Sequence, residues 1–398
     1  VSAALDDAWA IRRADAELLS LALIDARNQT LRWLASFEAR DALAPVPGGR
    51  SPQWLAGHAG WWQEFWIARH PQRRRGEHGD PAGVRLASVE PQADDWFRGP
   101  AAAGPASPSA LRGYLQQTLE TTLDLLAATD PSDDALHFFR LALLHEDRLG
   151  EALAETAAAR QLAAAGAMPL PAGPVPARPD REPLWWPAQC MALGSVPGGL
   201  VPDNERWAHE VAVPAFEVDA QPVSWARFAE FAEDGGYDRR ECWSEAGWAW
   251  AQAEGRRAPR HVEQLRGGVT VLREGRLQRV APAQPALHLS RHEAEAWCRW
   301  AGRRLPTEPE WTLAAQQGSS RGFAWGDVFE WTAGSARPWP GGGAATPGTL
   351  DALPAPGTQG VLKGASWHTR ARWRHPQARR FCDPADDAPF CGFRSCAV

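Results

Sequence analysis

Between Gly166 and Pro187 the chain reads GAMPLPAGPVPARPDREPLWWP, and so many prolines exclude both a helix interior and a central strand. This stretch predicts a linker over 166–187, with one unit at 1–165 and another at 188–398. Two units suit 398 residues at roughly 100 to 200 residues per domain. The textures on either side differ. Ahead of it, Leu18, Leu19, Ala22, Leu23, Ala26, Leu31, Leu34 and Phe37 recur near helical spacing and predict a helix from Asp15 to Arg40. A second helix is expected after the start pair Ser51-Pro52, through Trp54, His58, Trp61, Trp62 and Trp66 to about His70. A third follows Ser107-Pro108, and a fourth runs from near Asp130-Pro131 to about Ala165. Four such helices predict a bundle with a long connection between the second and third. Behind the linker, short apolar runs are broken by Gly and Pro, with helical patches near Ser224 to Asp234 and Arg291 to Ala301. The expected fold class is α+β in two domains.

A formal charge of -6 provides no positive field to draw in nucleic acid or anionic lipid, so neither is expected as a partner. Val1 to Arg40 carries charge at almost every turn, unlike a secretory signal or a membrane span, which predicts a cytoplasmic protein. Six cysteines without a C-x-x-C pair read as reduced thiols, with no structural zinc site. Twenty-two tryptophans against two tyrosines supply flat faces that serve packing or hold a cation. Trp61, Trp62 and Trp66 beside His58 suit either bundle packing or a quaternary ammonium.

RLPTEPEW at 304–311, WGDVFEWT at 325–332, VLKGASW at 361–367 and CGFRSC at 391–396, in this order, resemble the formylglycine-generating-enzyme domain. That resemblance implies a compact, irregular architecture related to the C-type lectin fold. Ahead of it, LSLALIDARNQTLRWLASFE, WLAGHAGWWQEFWIARHPQRRRGE and LALLHEDRLGEAL resemble a DinB-like bundle. Over nearly its full length the chain is similar to the selenoneine synthase and ergothioneine-type sulfoxide synthase family. The resemblance implies nonheme Fe(II) and dioxygen, used for oxidative C–Se or C–S bond formation between hercynine and a selenosugar or thiol donor. The site would lie between the two domains.

The family supplies three histidine ligands, and the resemblance carries two of them onto His58 and His145. The third would follow His145 by four residues, where a helix has turned about 40° beyond a full turn and presents the same face. Leu149 stands there. Glu151, at the end of the same motif, would orient the site rather than bind the ion. Trp339 occupies the position of the family's proton-donating tyrosine, and an indole N–H cannot take over that acid role. Arg85, Asp386, Asp387 and Arg394 are candidate substrate contacts. Arg394 equally suits a buried ion pair, and Asp386 and Asp387 a solvated loop. Arg73, Arg74 and Arg75 suit an acidic substrate group or a solvated charge run. Two functions remain open: the oxidative enzyme, and a divergent paralogue with a lapsed iron site acting as a small-molecule or protein-binding module.

Overall fold

The computed structural model describes residues 2–99, 104, 107–162, 175–343, 346–349, 354–355 and 357–398. Four long helices form the N-terminal bundle: α1 (Ala16–Glu38), α2 (Pro52–Gln63), α3 (Pro108–Ala127) and α4 (Asp133–Ala159). Each begins where a side-chain oxygen accepts a backbone N–H left free by the first turn: Asp15, Ser51, Ser107 and Ser132. The expected starts therefore hold, with that of α4 set by Ser132 two residues beyond the anticipated Asp130.

The second helix departs from expectation. After Gln63 it continues to Ala68 as a π-turn, in which Arg69 N–H donates to Glu64 O five residues back. The Glu64 carboxylate is buried there and accepts from Ser88 Oγ, Val89 N–H and Tyr114 O–H. Gly57 lets α2 approach its neighbours: a Cβ at this position would sit 2.3 Å from Phe97 Cζ and 2.8 Å from Leu111 Cδ1.

The C-terminal region has short strands and helices. Its strands are β1 (Leu184–Trp186), β2 (Gln189–Leu193), β3 (His209–Val213) and β4 (Phe216–Val218). The middle part holds α5 (Trp225–Glu233), α6 (Glu245–Ala253) and the hairpin sheet β5 (Val262–Gln264), β6 (Thr270–Arg273) and β7 (Arg276–Arg279). Then come α7 (Arg291–Trp300), β8 (Arg303–Arg304), α8 (Glu308–Gln317) and β9 (Phe329–Ser335). The last strands are β10 (Gly360–Gly364), β11 (Arg379–Cys382), β12 (Cys391–Phe393) and β13 (Cys396–Ala397). The sheets run β1-β4-β13-β8, β11-β10-β9-β12, β2-β3 and β5-β6-β7, all antiparallel pairs except β12 on β9. The helical patches expected at 224–234 and 291–301 are α5 and α7.

Of the expected linker, 166–174 lies outside the described residues. The remainder is mostly exposed but tied down at points: Val175 is buried, Arg178 is paired with Asp327, and Leu184–Trp186 forms the edge strand β1 against β4. Prolines are tolerated here because edge strands and loops require fewer backbone donors.

The two regions are joined by buried charge. Arg12 pairs with Glu205, Arg372 with both Asp25 and Asp147, and Arg380 with Glu155. Three of these carboxylates, Asp25, Asp147 and Glu155, belong to bundle helices, and two of them to α4.

Candidate active site

Three consecutive residues of α4 point to three different places. His145 faces α2, where its Nε2 lies 2.9 Å from His58 Nδ1. Glu146 turns into the bundle and accepts from Arg27 and Thr30 of α1. Asp147 faces the C-terminal region and accepts from the Arg372 guanidinium, at 2.6 and 2.9 Å, and from Trp373 Nε1 at 2.6 Å. A helix turns about 100° per residue, so three successive side chains necessarily diverge. The two flanking charge pairs hold the backbone that carries His145.

Flat aromatic faces enclose the two imidazoles. Trp54 stacks on His58 at 4.3 Å between ring centroids, and Trp62 stacks on His145 at 4.9 Å. Both histidines are buried. Burial, reinforced by the charge of Arg50, holds His58 down to about 3, and burial with the neighbouring His58 holds His145 well below its ordinary value. Both rings are therefore neutral at neutral pH, and a proton on one nitrogen bonds the lone pair of the other.

Neutral imidazoles are what a metal ion requires of its ligands. Two nitrogens each about 2.1 Å from one ion and at right angles would be about 3.0 Å apart, close to the separation observed. The pair thus fits two adjacent positions around one ion. It does not fit a three-histidine set, because Leu149 is fully buried one turn beyond His145. Among the described residues no group of three His, Cys, Asp or Glu could hold an ion. The pair supplies, among the described residues, two of the six positions of such a shell.

A narrow cleft of about 20 Å³, room for about one water, opens beside His145. Leu141, Leu144, His145 and Arg148 of α4 form one wall, and Pro202, Asp203 and Thr349 form the other. A Cβ at the neighbouring Gly348 would lie 3.3 Å from Trp62 Nε1, a buried indole N–H that has no hydrogen-bond partner among the described residues. The wall from the C-terminal region was missed by sequence reasoning. Its residues lie more than 50 positions along the chain from Arg148, and no local pattern marks them.

The other expected site residues are placed elsewhere, and among the described residues no contact joins them to His58 or His145. Arg394 makes the buried ion pair that its sequence also suited. It is wholly buried, it forks onto Glu330, and its remaining donors go to Asp219 O and Ala324 O. Asp387 is likewise occupied, paired with Arg256 and Arg260 at 2.7 and 3.3 Å. Asp386 accepts from Ala388 N–H and closes its own turn. Arg85 lies over the Phe65 and Trp66 rings at 4.5 and 4.9 Å, and donates to Gly83 O and Pro81 O. Arg74 and Arg75 are exposed. Trp339 is buried under the Arg379 guanidinium at 4.1 Å, and lines a separate cavity of about 420 Å³ with His209, Glu308 and Arg337. Glu151, expected to orient the site, forms an ion pair with Arg148 at the cleft wall.

A helical bundle joined through buried ion pairs to an irregular α+β domain, with a histidine pair beside their junction, defines a two-domain class. In keeping with it, residues 22–176 match the DinB superfamily and residues 170–327 match the sulfatase-modifying factor enzyme 1-like domain. The chain is 30% identical to a hercynine oxygenase of Mycobacterium tuberculosis, over 95% of this chain and 98% of that one. It is equally similar to a hercynine oxygenase of Mycolicibacterium thermoresistibile, at 30% identity and 94% of both chains. A formylglycine-generating enzyme of Streptomyces coelicolor is 35% identical but matches 41% of this chain and 56% of its own. The chain belongs to the hercynine oxygenase family of oxidoreductases. Among the described residues no helix is long and apolar enough to cross a membrane.

Proposed function

We propose that this protein oxidises hercynine with dioxygen and joins its imidazole ring to a selenium or sulfur donor, a selenosugar or a thiol. The observation that carries this reading is the convergence of His58 and His145 at 2.9 Å beside a cleft shared by both domains, in a chain of this family. Fe(II), when bound, would supply the redox chemistry that lets triplet dioxygen react with a closed-shell ring. His58 and His145 would hold it as neutral donors, leaving more positions open than three histidines would. Trp54 and Trp62 cover the imidazole faces and keep water from them. Arg148 and Asp203, on opposite walls and paired here with Glu151 and Arg206, would orient a zwitterionic betaine through its carboxylate and its cation once the cleft widens to admit it. Trp339 supplies no proton, so protons would pass through water. Six unpaired cysteines suit a reducing cytoplasm.

The test is anaerobic loading with Fe(II), followed by hercynine, a thiol or selenol donor and air. Oxygen uptake that requires both substrates, with a new C–S or C–Se product by mass spectrometry, is expected. No uptake by iron-loaded protein would overturn the reading. Leu149 favours a second reading, in which the ion has been lost and the cleft binds a small molecule or a protein. Retention of hercynine by protein that takes up no iron would establish it.

A further inference from the structure

The turn that walls the cleft beside His145 rests on an unpaired donor. Thr346-Pro347-Gly348-Thr349 has the residue order of a type II turn, in which glycine supplies the positive φ, here +85°. Thr349 lines the cleft, and its N–H donates to Thr346 O across the turn. Thr346 N–H donates to Asp203 Oδ2 at 2.6 Å, while Asp203 Oδ1 pairs with Arg206 at 3.2 Å. With the turn in this place the cleft has room for about one water, so a ligand enters only if the turn moves.

Gly348 covers one edge of Trp62. An added Cβ would meet Nε1 at 3.3 Å and Cδ1 at 3.4 Å, so glycine backbone stands where a hydrogen-bond acceptor would stand. The indole is fully buried and stacks on His145 at 4.9 Å, yet its N–H has no partner among the described residues. A buried donor left unpaired is costly, and the cost is relieved when an acceptor arrives. Trp54 and Trp66 also keep unpaired N–H groups, but Trp62 differs in being covered by the turn that walls the cleft.

Hercynine carries both groups that this arrangement lacks. Its trimethylammonium can face Asp203 Oδ2 in place of Thr346 N–H, which frees the turn. Its carboxylate is then the acceptor for Trp62, because its imidazole nitrogens are directed to the histidine pair. On the hercynine reading, from which this follows, we propose that Trp62 is a specificity-determining residue: its Nε1–H donates to the betaine carboxylate when the Thr346–Thr349 turn leaves Asp203. One ligand must supply cation and anion together, so the site selects a zwitterion over an ion of either sign. A ligand without the carboxylate leaves the indole N–H as unpaired as it is in the empty protein.

Calorimetric titration of the full chain, under nitrogen with Fe(II) added, compares hercynine with its decarboxylated analogue. Trp62→Phe, which keeps a ring on His145 and removes the donor, should weaken hercynine binding about tenfold and leave the affinity for the analogue within about twofold. An unchanged hercynine affinity, or equal losses for the two ligands, would show that the indole only packs, and would overturn the proposal. In the parent, saturating hercynine should speed deuterium uptake at the Thr346 and Thr349 amides, a readout that stands if Trp62→Phe does not fold. Slower or unchanged uptake there would also overturn it. No binding of hercynine to the parent would overturn the functional reading, and this proposal with it.

Discussion

Buried neutral histidines make the stability of this fold depend on pH well above the range in which carboxylates titrate. His137, His288 and His375 are each at least nine-tenths buried, and each is held down to about 3 chiefly by burial. Unfolding returns them to about 6.5, so below that value the unfolded chain binds protons that the folded chain refuses. Stability from these groups is fully present above pH 6.5 and falls as the pH drops toward 3. At pH 5 the unfolded value lies about 1.5 units above the pH, and at about 1.4 kcal/mol per unit each histidine costs about 2 kcal/mol. This figure holds for any folded value below about 4. Three groups give about 6 kcal/mol, against a total stability of about 5 to 15 kcal/mol. Glu205, held down to about 2 with Arg12 and His375 beside it, does not enter this window, because its loss begins below the ordinary range of carboxylates. Urea unfolding at pH 7.5, 6 and 5 measures the effect. His137 lies in the bundle and the other two in the C-terminal region, so both regions lose stability as the pH falls. His137→Gln should recover about 2 kcal/mol of the difference between pH 7.5 and 5. A stability that changes by less than about 1 kcal/mol over that range would refute the reasoning.

Other perturbations address the site and its supports. Leu149→His places a third imidazole on the ligand face of α4, and iron retained through desalting after anaerobic loading should rise toward one per chain. Unchanged retention would mean that the leucine is not what limits the ion. Gly57→Ala drives a methyl into Phe97 and Leu111 and should cost about 1 to 3 kcal/mol, lowering iron retention as α2 is pushed from α4. Asp147→Ala leaves a fully buried Arg372 with only the half-buried Asp25 as partner and should cost up to about 3 kcal/mol. The double change Asp147→Leu with Arg372→Met should restore most of that loss, and both are read from urea midpoints at pH 7.5.

Much of the bundle was legible because its signals are local. Leu19, Leu23 and Leu34 repeat at helical spacing, and Asp15, Ser51 and Ser107 are caps whose chemistry is complete within four residues. Helix α8 escaped notice as a helix because Thr307-Glu308-Pro309-Glu310 reads first as a loop, although Thr307 and Glu310 close a capping box. In the site, the facing of His58 and His145 followed from a family resemblance that the geometry joined at one point. For Arg394 and Asp387 the sequence left two readings open, for a physical reason. A charged residue near a cleft motif and one in a buried pair have the same sequence signature, and only the partner, Glu330 or Arg256 with Arg260, tells them apart.

The change at position 149 bears differently on fold and chemistry. Helix α4 is fixed by Glu146 in the bundle and Asp147 in the C-terminal region, neither of which involves residue 149. Leucine there adds buried apolar surface to a helix already clamped on both sides, and full burial of such a side chain contributes about 2 kcal/mol. An imidazole in the same dry position would need an ion or a hydrogen bond to offset its desolvation. Leucine rather than histidine at this place therefore stabilises the empty fold while offering no ligand to a metal. Leu149→His should accordingly unfold more readily than the parent without iron and recover with Fe(II) added, so that the melting temperature of the variant, unlike that of the parent, rises with iron concentration. Equal responses of the two proteins to iron would show that stability and ligation are not opposed at this residue.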